Sequence, residues 1–387
     1  MNSSKPLILP SSSSCKAHQD RTTRLTTSIH SKSGMNVSTN ATSTVPPLPS
    51  GYLAVRYTRL VLYPVIFAIG VVGNSIVSAL ILKKSKNSTA NGYFILNLAI
   101  SDLMALLLYL PFDLAYLENH YEWPFGAFMC KFINCLNKFS VMVSGLTLVA
   151  IGVDRYKAIV HSLKKRLSRR DAMIMITVIW LFSAVLQLPY VFALKLDPRG
   201  ECVIDLSFWK GPYQFEMTYF FGVFTPEFVI PAIALSFCYV RISIHLEQTH
   251  KRNSKHGLFQ ESTMTLRERQ NRKTTQVLTG LVTIYTICIL PHQICVLMIT
   301  FQRNYLNSDI MRLAYEFTRL LTITNSCLNP IMYGAISKGF RTDIRNFFRG
   351  KHAQTGSFRF LRSTHSRSPE TKNLKDTMYN QENSFKL

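Results

Sequence analysis

Long runs of apolar residues without a charge constrain this chain more than any other feature of its sequence. Residues 60–82 and 172–194 carry no charged side chain, and 274–302 has His292 as its one basic or acidic side chain. An α-helix needs about 20 residues to cross the hydrocarbon core of a bilayer, and each run exceeds that length. A soluble surface helix would show a polar face with a period of 3.6 residues, which these runs lack. The sequence therefore predicts an all-α membrane protein.

The apolar segments predict a seven-transmembrane helix bundle within residues 57–336. The spans are placed at 57–82, 92–117, 128–156, 172–194, 216–246, 273–301 and 309–334. The N-terminal tail (1–56) and the C-terminal tail (350–387) are polar and rich in Ser and Thr, so they cannot bury enough apolar surface to fold alone and are expected to be disordered. Residues 337–349 pair basic side chains with phenylalanines, which is typical of a short amphipathic eighth helix on the inner membrane face.

The net charge of +23 would suit a nucleic-acid-binding protein, but its placement favours another interpretation. Lysine and arginine cluster in short segments between spans, such as 157–170, 251–273 and 338–351, whereas the alternate segments also carry acids. By the positive-inside rule the basic segments are cytoplasmic and the N-terminus is extracellular. We therefore expect a multi-pass protein of the plasma membrane, embedded in the lipid bilayer, with no nucleic-acid partner.

The predicted extracellular segments carry two further signals. Cys130 and Cys202 both fall there, where oxidation is favoured, and are expected to form a disulfide bond. Cys135 lies deeper in the third span and is expected to be a free thiol. The N-terminal tail contains N-glycosylation acceptor patterns whose asparagines are Asn2, Asn36 and Asn40.

Two motifs at the inner ends of spans give the chain a family resemblance. Asp154-Arg155-Tyr156 ends an uncharged stretch and precedes a basic run, and Asn329-Pro330-Ile331-Met332-Tyr333 lies near the end of the seventh span. Together they resemble the rhodopsin-like (class A) G-protein-coupled receptors over roughly 57–348. The resemblance implies that the chain is a receptor and not an enzyme, consistent with the lack of a catalytic constellation in its sequence.

The same resemblance implies an output to a heterotrimeric G protein. Arg155 is expected to be restrained by Asp154 at rest and released on activation. It would then approach the G protein, Tyr239 and Tyr333. Leu163 matches the apolar residue that the family inserts into the G protein. The Ser/Thr-rich C-terminal tail is expected to engage a receptor kinase and arrestin.

Several positions depart from the family pattern. Ile289 occupies the place of the usual tryptophan switch, before the helix-kinking Pro291. Gly145 and Tyr285 stand where the packing triad with Pro231 usually has a branched aliphatic residue and a phenylalanine. Asn271 stands where an acid often pairs with the arginine. We expect coupling between ligand and output, or the basal activity, to differ from that of better-known members.

Ionisable residues within a span are costly and usually functional, and Asp102 of the second span is the clearest of them here. In the family the matching acid helps to bind an allosteric sodium ion, and hard cations prefer oxygen ligands. The matching polar positions here are Ser144, Asn325 and Asn329, with Asn74 nearby. A hydrogen-bond network without an ion is the alternative. No other cofactor is expected.

The outer halves of the spans predict the ligand class. Asn137 replaces the aspartate of amine receptors, and the seventh span lacks the retinal-binding lysine of opsins. The remaining candidates form a cavity of mixed charge that suits a peptide, as in the neuropeptide receptors, including those for amidated peptides. These candidate ligand-binding residues are Asp113, Asn137, Lys138, Glu227, His292, Gln293, Glu316 and Arg319.

Some alternatives stay open at this point. Lys138 and Glu227 either pair with each other or contact the ligand, whereas Asp113 and Glu316 are expected to receive a basic ligand group. The ligand could instead be a small charged metabolite, with Lys138 and Arg319 as its anion partners. Outside the signalling class, the chain could be a non-signalling scavenger or an ion-conducting membrane protein.

Overall fold

The structure is a computed structural model that describes most of the helical bundle. The described residues are 50–83, 89–119, 121–161, 167–198, 200–205, 212–255, 261–302, 308–336 and 338–349, without the side chains at 50–52, 212, 213, 250, 252–274 and 338. The helices are α1 (Ser50–Lys83), α2 (Ala90–Glu118), α3 (Gly126–Val160), α4 (Arg169–Ala193), α5 (Pro212–Tyr219, Phe220–Val229 and Ile230–Lys255), α6 (Glu261–Phe301), α7 (Asp309–Ile336) and α8 (Lys338–Phe348).

The first six helices are each long and apolar enough to cross a membrane. Helix α7 carries Glu316 and Arg319 in its outer half and packs mainly against α1 and α6, with further contacts to α2 and α8. Large apolar side chains such as Leu181, Val185 and Phe192 are exposed on the outer surface of α4. These side chains are expected to face lipid, because exposing such a large apolar surface to water would cost free energy.

Two helices contain π-helical segments near prolines. In α2 the segment is Ala105–Tyr109, directly before the turn that contains Pro111, and in α5 it is Phe220–Val229, directly before Ile230 and Pro231. A proline lacks the N–H that would bond one turn back, so the helix must rearrange its hydrogen bonds there. The α2 segment contributes Tyr109 to the wall of a cavity at the outer end, and the α5 segment begins directly after Tyr219 of the same wall.

Buried polar side chains join the helices at mid-depth. Asn97 of α2 donates to the Thr147 hydroxyl of α3 at 2.7 Å and accepts from the Trp180 indole N–H of α4 at 2.8 Å. Asn74 of α1 donates to the backbone carbonyl of Ser326 in α7 at 2.9 Å. In an apolar medium each such group needs an internal partner, so these bonds fix which helices are neighbours.

A disulfide-linked hairpin covers the outer end of the bundle. Strands β1 (Leu194–Leu196) and β2 (Cys202–Ile204) pair antiparallel, and Cys202 forms the disulfide bond with Cys130 at the top of α3. The prediction of this bond is confirmed, and Cys135 is a buried free thiol as expected. The hairpin is thereby held over the space between the helices.

Helix α8 begins directly after α7 and packs back on the bundle. Its Phe340 is buried and meets the Tyr333 ring with centroids 6.0 Å apart, and Lys83 of α1 lies 5.5 Å above the Phe347 ring. Arg341 donates to the carbonyl oxygens of Gly334 and Ala335, which lack helical partners at the end of α7. The amphipathic segment is therefore helical and anchored by its phenylalanines.

Candidate functional site

A cavity lies at the outer end, beneath the hairpin and lined by residues of all helices from α2 to α7. Six of the eight predicted ligand-binding residues line it, namely Asp113, Asn137, Lys138, His292, Glu316 and Arg319. The other two, Glu227 and Gln293, are buried behind its wall with 2% and 1% of their surfaces exposed. The structure thus brings all eight predicted ligand-binding residues to the outer end of the bundle. Six of them line the cavity, and the other two are buried behind its wall.

Asp113 is enclosed by partners from three helices. Its carboxylate forms an ion pair with Arg319 of α7 and accepts from the hydroxyls of Tyr63 and Tyr109 at 2.7 and 2.8 Å. Arg319 also donates to the Tyr109 hydroxyl at 3.1 Å. Because the carboxylate is already hydrogen-bonded and neutralised, a basic ligand group would have to compete with Arg319 for it.

A second ionic cluster joins α1, α2 and α7. Arg59, which is 4% exposed, donates to Glu118 at 2.8 Å and lies 3.6 Å from Glu316. Arg56 holds the second oxygen of Glu118 at 2.8 Å, and the Tyr121 hydroxyl donates to Glu316 at 3.3 Å. Sequence reasoning missed Arg59, although its position at the outer end of an apolar run is the signal that would have identified it.

Lys138 and Glu227 do not form an ion pair within 4.0 Å, and Oε2 of Glu227 has no hydrogen-bond partner among the described residues. The ring of His292 lies against Tyr315, and its Nδ1 is 3.4 Å from the Thr318 hydroxyl. The ion pair between Lys138 and Glu227 is therefore not formed in this structure. Lys138 lines the cavity and can contact a ligand, whereas Glu227 is buried behind the wall.

Aromatic side chains make up half of the remaining residues that line the cavity, and sequence reasoning did not identify them. They are Tyr109, Tyr116, Tyr121, Trp123, Tyr190, Phe215, Tyr219 and Tyr315. Their positions at the outer ends of successive spans are the only signal in the sequence. Rings with polar edges provide large apolar contact area together with hydrogen-bonding groups, which suits a ligand of mixed polarity.

The predicted sodium site lies at mid-depth around Asp102, whose side chain is completely buried. Asn329 donates to one carboxylate oxygen of Asp102 at 2.8 Å, and the other oxygen, Oδ1, has no hydrogen-bond partner among the described residues. Ser144 bonds the Ser101 hydroxyl at 2.8 Å, and Asn325 is buried nearby in α7. An unpartnered buried carboxylate oxygen among hydroxyl and amide oxygens is a set that fits a hard cation.

The inner end carries the proposed output residues. Arg155 is 8% exposed and forms an ion pair with its neighbour Asp154, which is the arrangement that the resemblance implies for the resting receptor. Tyr333 is buried with its hydroxyl unpartnered among the described residues, and Pro330 of the same motif packs against Gly73 of α1. Tyr239 lines a separate inner groove with Gly280 and Met332. No hydrogen bond joins Arg155 to Tyr239 or to Tyr333 among the described residues.

The two residues that depart from the family packing triad, Gly145 and Tyr285, fit together: the missing side chain at Gly145 leaves the space that the Tyr285 hydroxyl occupies. The Tyr285 hydroxyl donates to the backbone carbonyl of Glu227, and a Cβ at Gly145 would collide with that hydroxyl. Ile289, in place of the tryptophan switch, is 1% exposed and belongs to the hydrophobic core. The core around the kink at Pro291 is filled without a large aromatic switch residue.

Several predicted residues lie outside the described part of the chain. They are Leu163, the acceptor asparagines Asn2, Asn36 and Asn40, the side chain of Asn271 and the C-terminal tail from residue 350. Their predicted roles stay predictions.

Comparison with known proteins identifies the class that this architecture defines. The family model described as "7 transmembrane receptor (rhodopsin family)" matches residues 73–333. The chain therefore belongs to the rhodopsin family of seven-transmembrane receptors, which confirms the predicted fold class and a receptor, not an enzyme.

Individual relatives extend over most of the chain. Galanin receptor type 1 of Homo sapiens is 32% identical over 326 residues, covering 80% of this chain and 88% of that receptor. The RYamide receptor of Tribolium castaneum is 29% identical over 296 residues, covering 72% and 77% respectively. G-protein coupled receptor 54 of Oreochromis niloticus is 29% identical over 302 residues, covering 74% and 77%.

Proposed function

We propose that this chain is a plasma-membrane receptor that binds an extracellular neuropeptide in the outer cavity and activates a heterotrimeric G protein at its inner end. Relatives named as receptors for galanin and RYamide support a peptide ligand. The alternation of basic and acidic connecting segments supports an extracellular N-terminus.

The observation that carries the proposal is the composition of the outer cavity. Its wall combines tyrosine and tryptophan rings with the charged residues Asp113, Lys138, Glu316 and Arg319. A lipid ligand would not use these charges, and an amine ligand would find Asn137 in place of an acid. A short peptide segment offers both the apolar side chains and the backbone polar groups that such a wall can bind.

Activation is a shift between two populations of the bundle. At rest, Arg155 is held by Asp154, and Arg155 is not among the residues that line the inner groove with Tyr239. Agonist stabilises the arrangement in which Arg155 is released, and the G protein binds that arrangement in preference. Agonist and G protein therefore strengthen each other's binding by the same factor.

Two regulatory interactions belong to the proposal. A sodium ion at Asp102, with Ser144, Asn325 and Asn329 in its surroundings, would favour the resting arrangement, supported by the unpartnered carboxylate oxygen of Asp102. Phosphorylation of the Ser/Thr-rich tail by a receptor kinase would create anionic groups for arrestin, supported by the composition of residues 350–387.

The test is a G-protein dissociation assay in cells that express the chain at the surface, challenged with a broad library of amidated and free peptides. A peptide that evokes dissociation only in cells expressing the chain supports the proposal. Active tissue extracts treated with protease provide the control for ligand class, because a metabolite signal survives protease and a peptide signal does not. A protease-resistant signal without any peptide response would contradict the proposal, as would ligand uptake without G-protein dissociation.

A further inference from the structure

Two tyrosine hydroxyls join α5 to α6, one on each side of the kink at Pro291. On the inner side, the Tyr285 hydroxyl of α6 donates to the backbone carbonyl of Glu227. On the outer side, the Tyr219 hydroxyl of α5 donates to Oε1 of Gln293 at 3.1 Å. The inner bond ends on a backbone atom, whereas the outer bond starts from a side chain that lines the cavity. The outer bond is therefore the one that a ligand can reach.

Both helices contain an irregular segment between these two bonds. In α5 the π-helical segment Phe220–Val229 begins directly after Tyr219 and contains Glu227. In α6, Pro291 lies two residues before Gln293 and has no N–H for the helical hydrogen bond. Helices change direction at prolines and at π-helical segments because their hydrogen bonds are interrupted there. Loss of the outer bond therefore allows the outer part of α6 to change its angle, while the inner bond still holds the part below the proline.

The hydroxyl of Tyr219 can change its partner without movement of the ring. It has a single proton to donate, and Gln293 accepts it in this structure. Tyr219 is 6% exposed and lines the cavity, whereas Gln293 is 1% exposed and is not among the lining residues. The Tyr219 ring packs in an apolar cluster that includes Val296 and Ile299 of α6. A ligand acceptor in the cavity can therefore take the proton from Gln293 while the ring stays in place.

The position of the usual tryptophan switch offers the ligand no such contact. Ile289 fills it, belongs to the hydrophobic core and is not among the residues that line the cavity. An isoleucine side chain has no polar atom, so a ligand cannot act on it through a hydrogen bond. A signal from the α5 side of the cavity must reach α6 through other side chains.

We propose that Tyr219 is the residue through which the ligand acts on α6, and that Gln293 is a positioning residue that holds α6 in the resting arrangement. The inference rests on the proposed peptide-receptor function and names the pair that links its cavity to its output. A backbone carbonyl of the peptide accepts from Tyr219 and leaves Oε1 of Gln293 without its donor. A buried polar atom without a partner destabilises the resting arrangement, so the population shifts towards the one in which α6 has moved.

The test measures basal G-protein dissociation per surface receptor, which needs no ligand. Tyr219→Phe removes the donor, and Gln293→Met removes the acceptor at nearly unchanged length. Each is expected to raise basal dissociation by about five- to tenfold, because the resting arrangement loses a buried hydrogen bond. The double variant should not exceed the more active single variant, since both substitutions remove the same bond.

A hydroxyl that bonds within α6 provides the matched control. Thr286 donates to the backbone carbonyl of Val282, one turn earlier in the same helix, at 2.9 Å. Thr286→Val keeps the shape of the side chain and removes this bond without affecting the contact between α5 and α6. It should leave basal dissociation at the wild-type level.

Peptide potency separates the two ends of the Tyr219–Gln293 bond. In Gln293→Met the Tyr219 hydroxyl no longer has to leave a partner, so a peptide that activates the wild type should act at about tenfold lower concentrations. Tyr219→Phe lacks the donor that the peptide uses, and its potency should not rise by that factor. A bond with a purely structural role would lower the melting temperature of both variants without raising basal dissociation.

The outcomes distinguish this inference from the function on which it rests. Wild-type basal dissociation in both single variants, with surface receptor confirmed, would refute the role of the Tyr219–Gln293 bond and leave the peptide-receptor function intact. Additive increases in the double variant would also contradict it. Gln293→Leu takes the place of Gln293→Met if the latter does not reach the surface. If no peptide evokes dissociation in the wild type, the proposed function is wrong, whereas the basal measurement still tests the bond.

Discussion

The hydroxyl of Tyr285 in α6 donates a hydrogen bond to the backbone carbonyl of Glu227 in α5. That carbonyl lies four residues before Pro231, which has no N–H to offer it. The hydroxyl reaches it because Gly145 of α3, which faces this point, has no side chain to occupy the space. The glycine, the tyrosine and the proline are therefore one structural unit that joins three helices directly beneath the ligand cavity.

Replacement of Tyr285 by phenylalanine removes only the donor and leaves the carbonyl of Glu227 without a partner in an apolar environment. We expect Tyr285→Phe to lower the free energy of unfolding by roughly 1 to 3 kcal/mol, the cost of an unsatisfied buried polar group. The measurement is the melting temperature of the purified receptor in detergent. An unchanged melting temperature would mean that the bond contributes nothing to stability.

A methyl group at Gly145 should disturb the same unit of Gly145, Tyr285 and Pro231 by displacing the Tyr285 hydroxyl. Gly145→Ala is expected to lower the melting temperature because its Cβ would collide with the Tyr285 hydroxyl and would lie 3.1 Å from Cζ. Adding Tyr285→Phe should restore part of the loss, since it removes the nearest atom. Gly334→Ala is the matched control, because no atom lies within 4 Å of its added Cβ. Additive effects of the two substitutions would argue against a shared unit.

The sequence predicts the helical bundle well because a helix that crosses lipid must be long enough and largely apolar. Uncharged runs of sufficient length become spans, and the positions of Cys130 and Cys202 at the extracellular end of the bundle predict their disulfide bond. Observed helices extend beyond the predicted spans, as at Lys255 and Glu261, because a helix can continue into water with polar side chains. Length and hydropathy predict where a helix crosses the membrane, and they do not predict where it ends.

The cavity is less predictable, because partner choice depends on packing between distant segments. Sequence reasoning placed Asp113 and Arg319 in the same cavity without revealing that they contact each other. It also missed Arg59, which supplies the cation beside Glu316 from a different helix. The aromatic wall was missed for a related reason: tyrosines are common at membrane interfaces, so their type alone does not show that they face inward.

The ion pair of Asp113 and Arg319 gives a direct test of this cavity geometry. Asp113→Asn or Arg319→Gln alone should lower stability by roughly 3 to 5 kcal/mol, because each leaves a buried charge without its partner. The double variant should recover much of that loss. The measurement is thermal unfolding of the purified receptor without ligand.

An exposed ion pair provides the control for that experiment. Lys251 and Glu247 lie one helical turn apart on α5, 2.7 Å from each other, with both side chains mostly exposed. Lys251→Ala should not change the melting temperature measurably, since solvent screens such pairs. Single variants of Asp113 and Arg319 that behave like this control would contradict the enclosed pair described here.

The proposed sodium site predicts a stabilisation that depends on the ion. An ion that binds the folded receptor and not the unfolded chain raises the melting temperature, and the rise grows with the logarithm of the ion concentration once that exceeds the Kd. The wild-type receptor should therefore melt at a higher temperature in sodium chloride than in N-methylglucamine chloride of equal ionic strength, and Asp102→Asn should abolish that difference. A sodium effect of the same size in both proteins would place the ion elsewhere, and its absence in the wild type would favour the hydrogen-bond network alone.

The central claim is that this receptor transmits a peptide signal to a G protein through Arg155. The most direct measurement is peptide-evoked G-protein dissociation in cells expressing the wild type, Arg155→Ala or Lys157→Ala, with surface receptor and bound peptide quantified in parallel. Lys157 is the control because it is a basic residue of the same helix end with an exposed side chain. We predict that Arg155→Ala abolishes dissociation while peptide still binds at the surface, and that Lys157→Ala signals normally. Undiminished dissociation in Arg155→Ala would contradict the account.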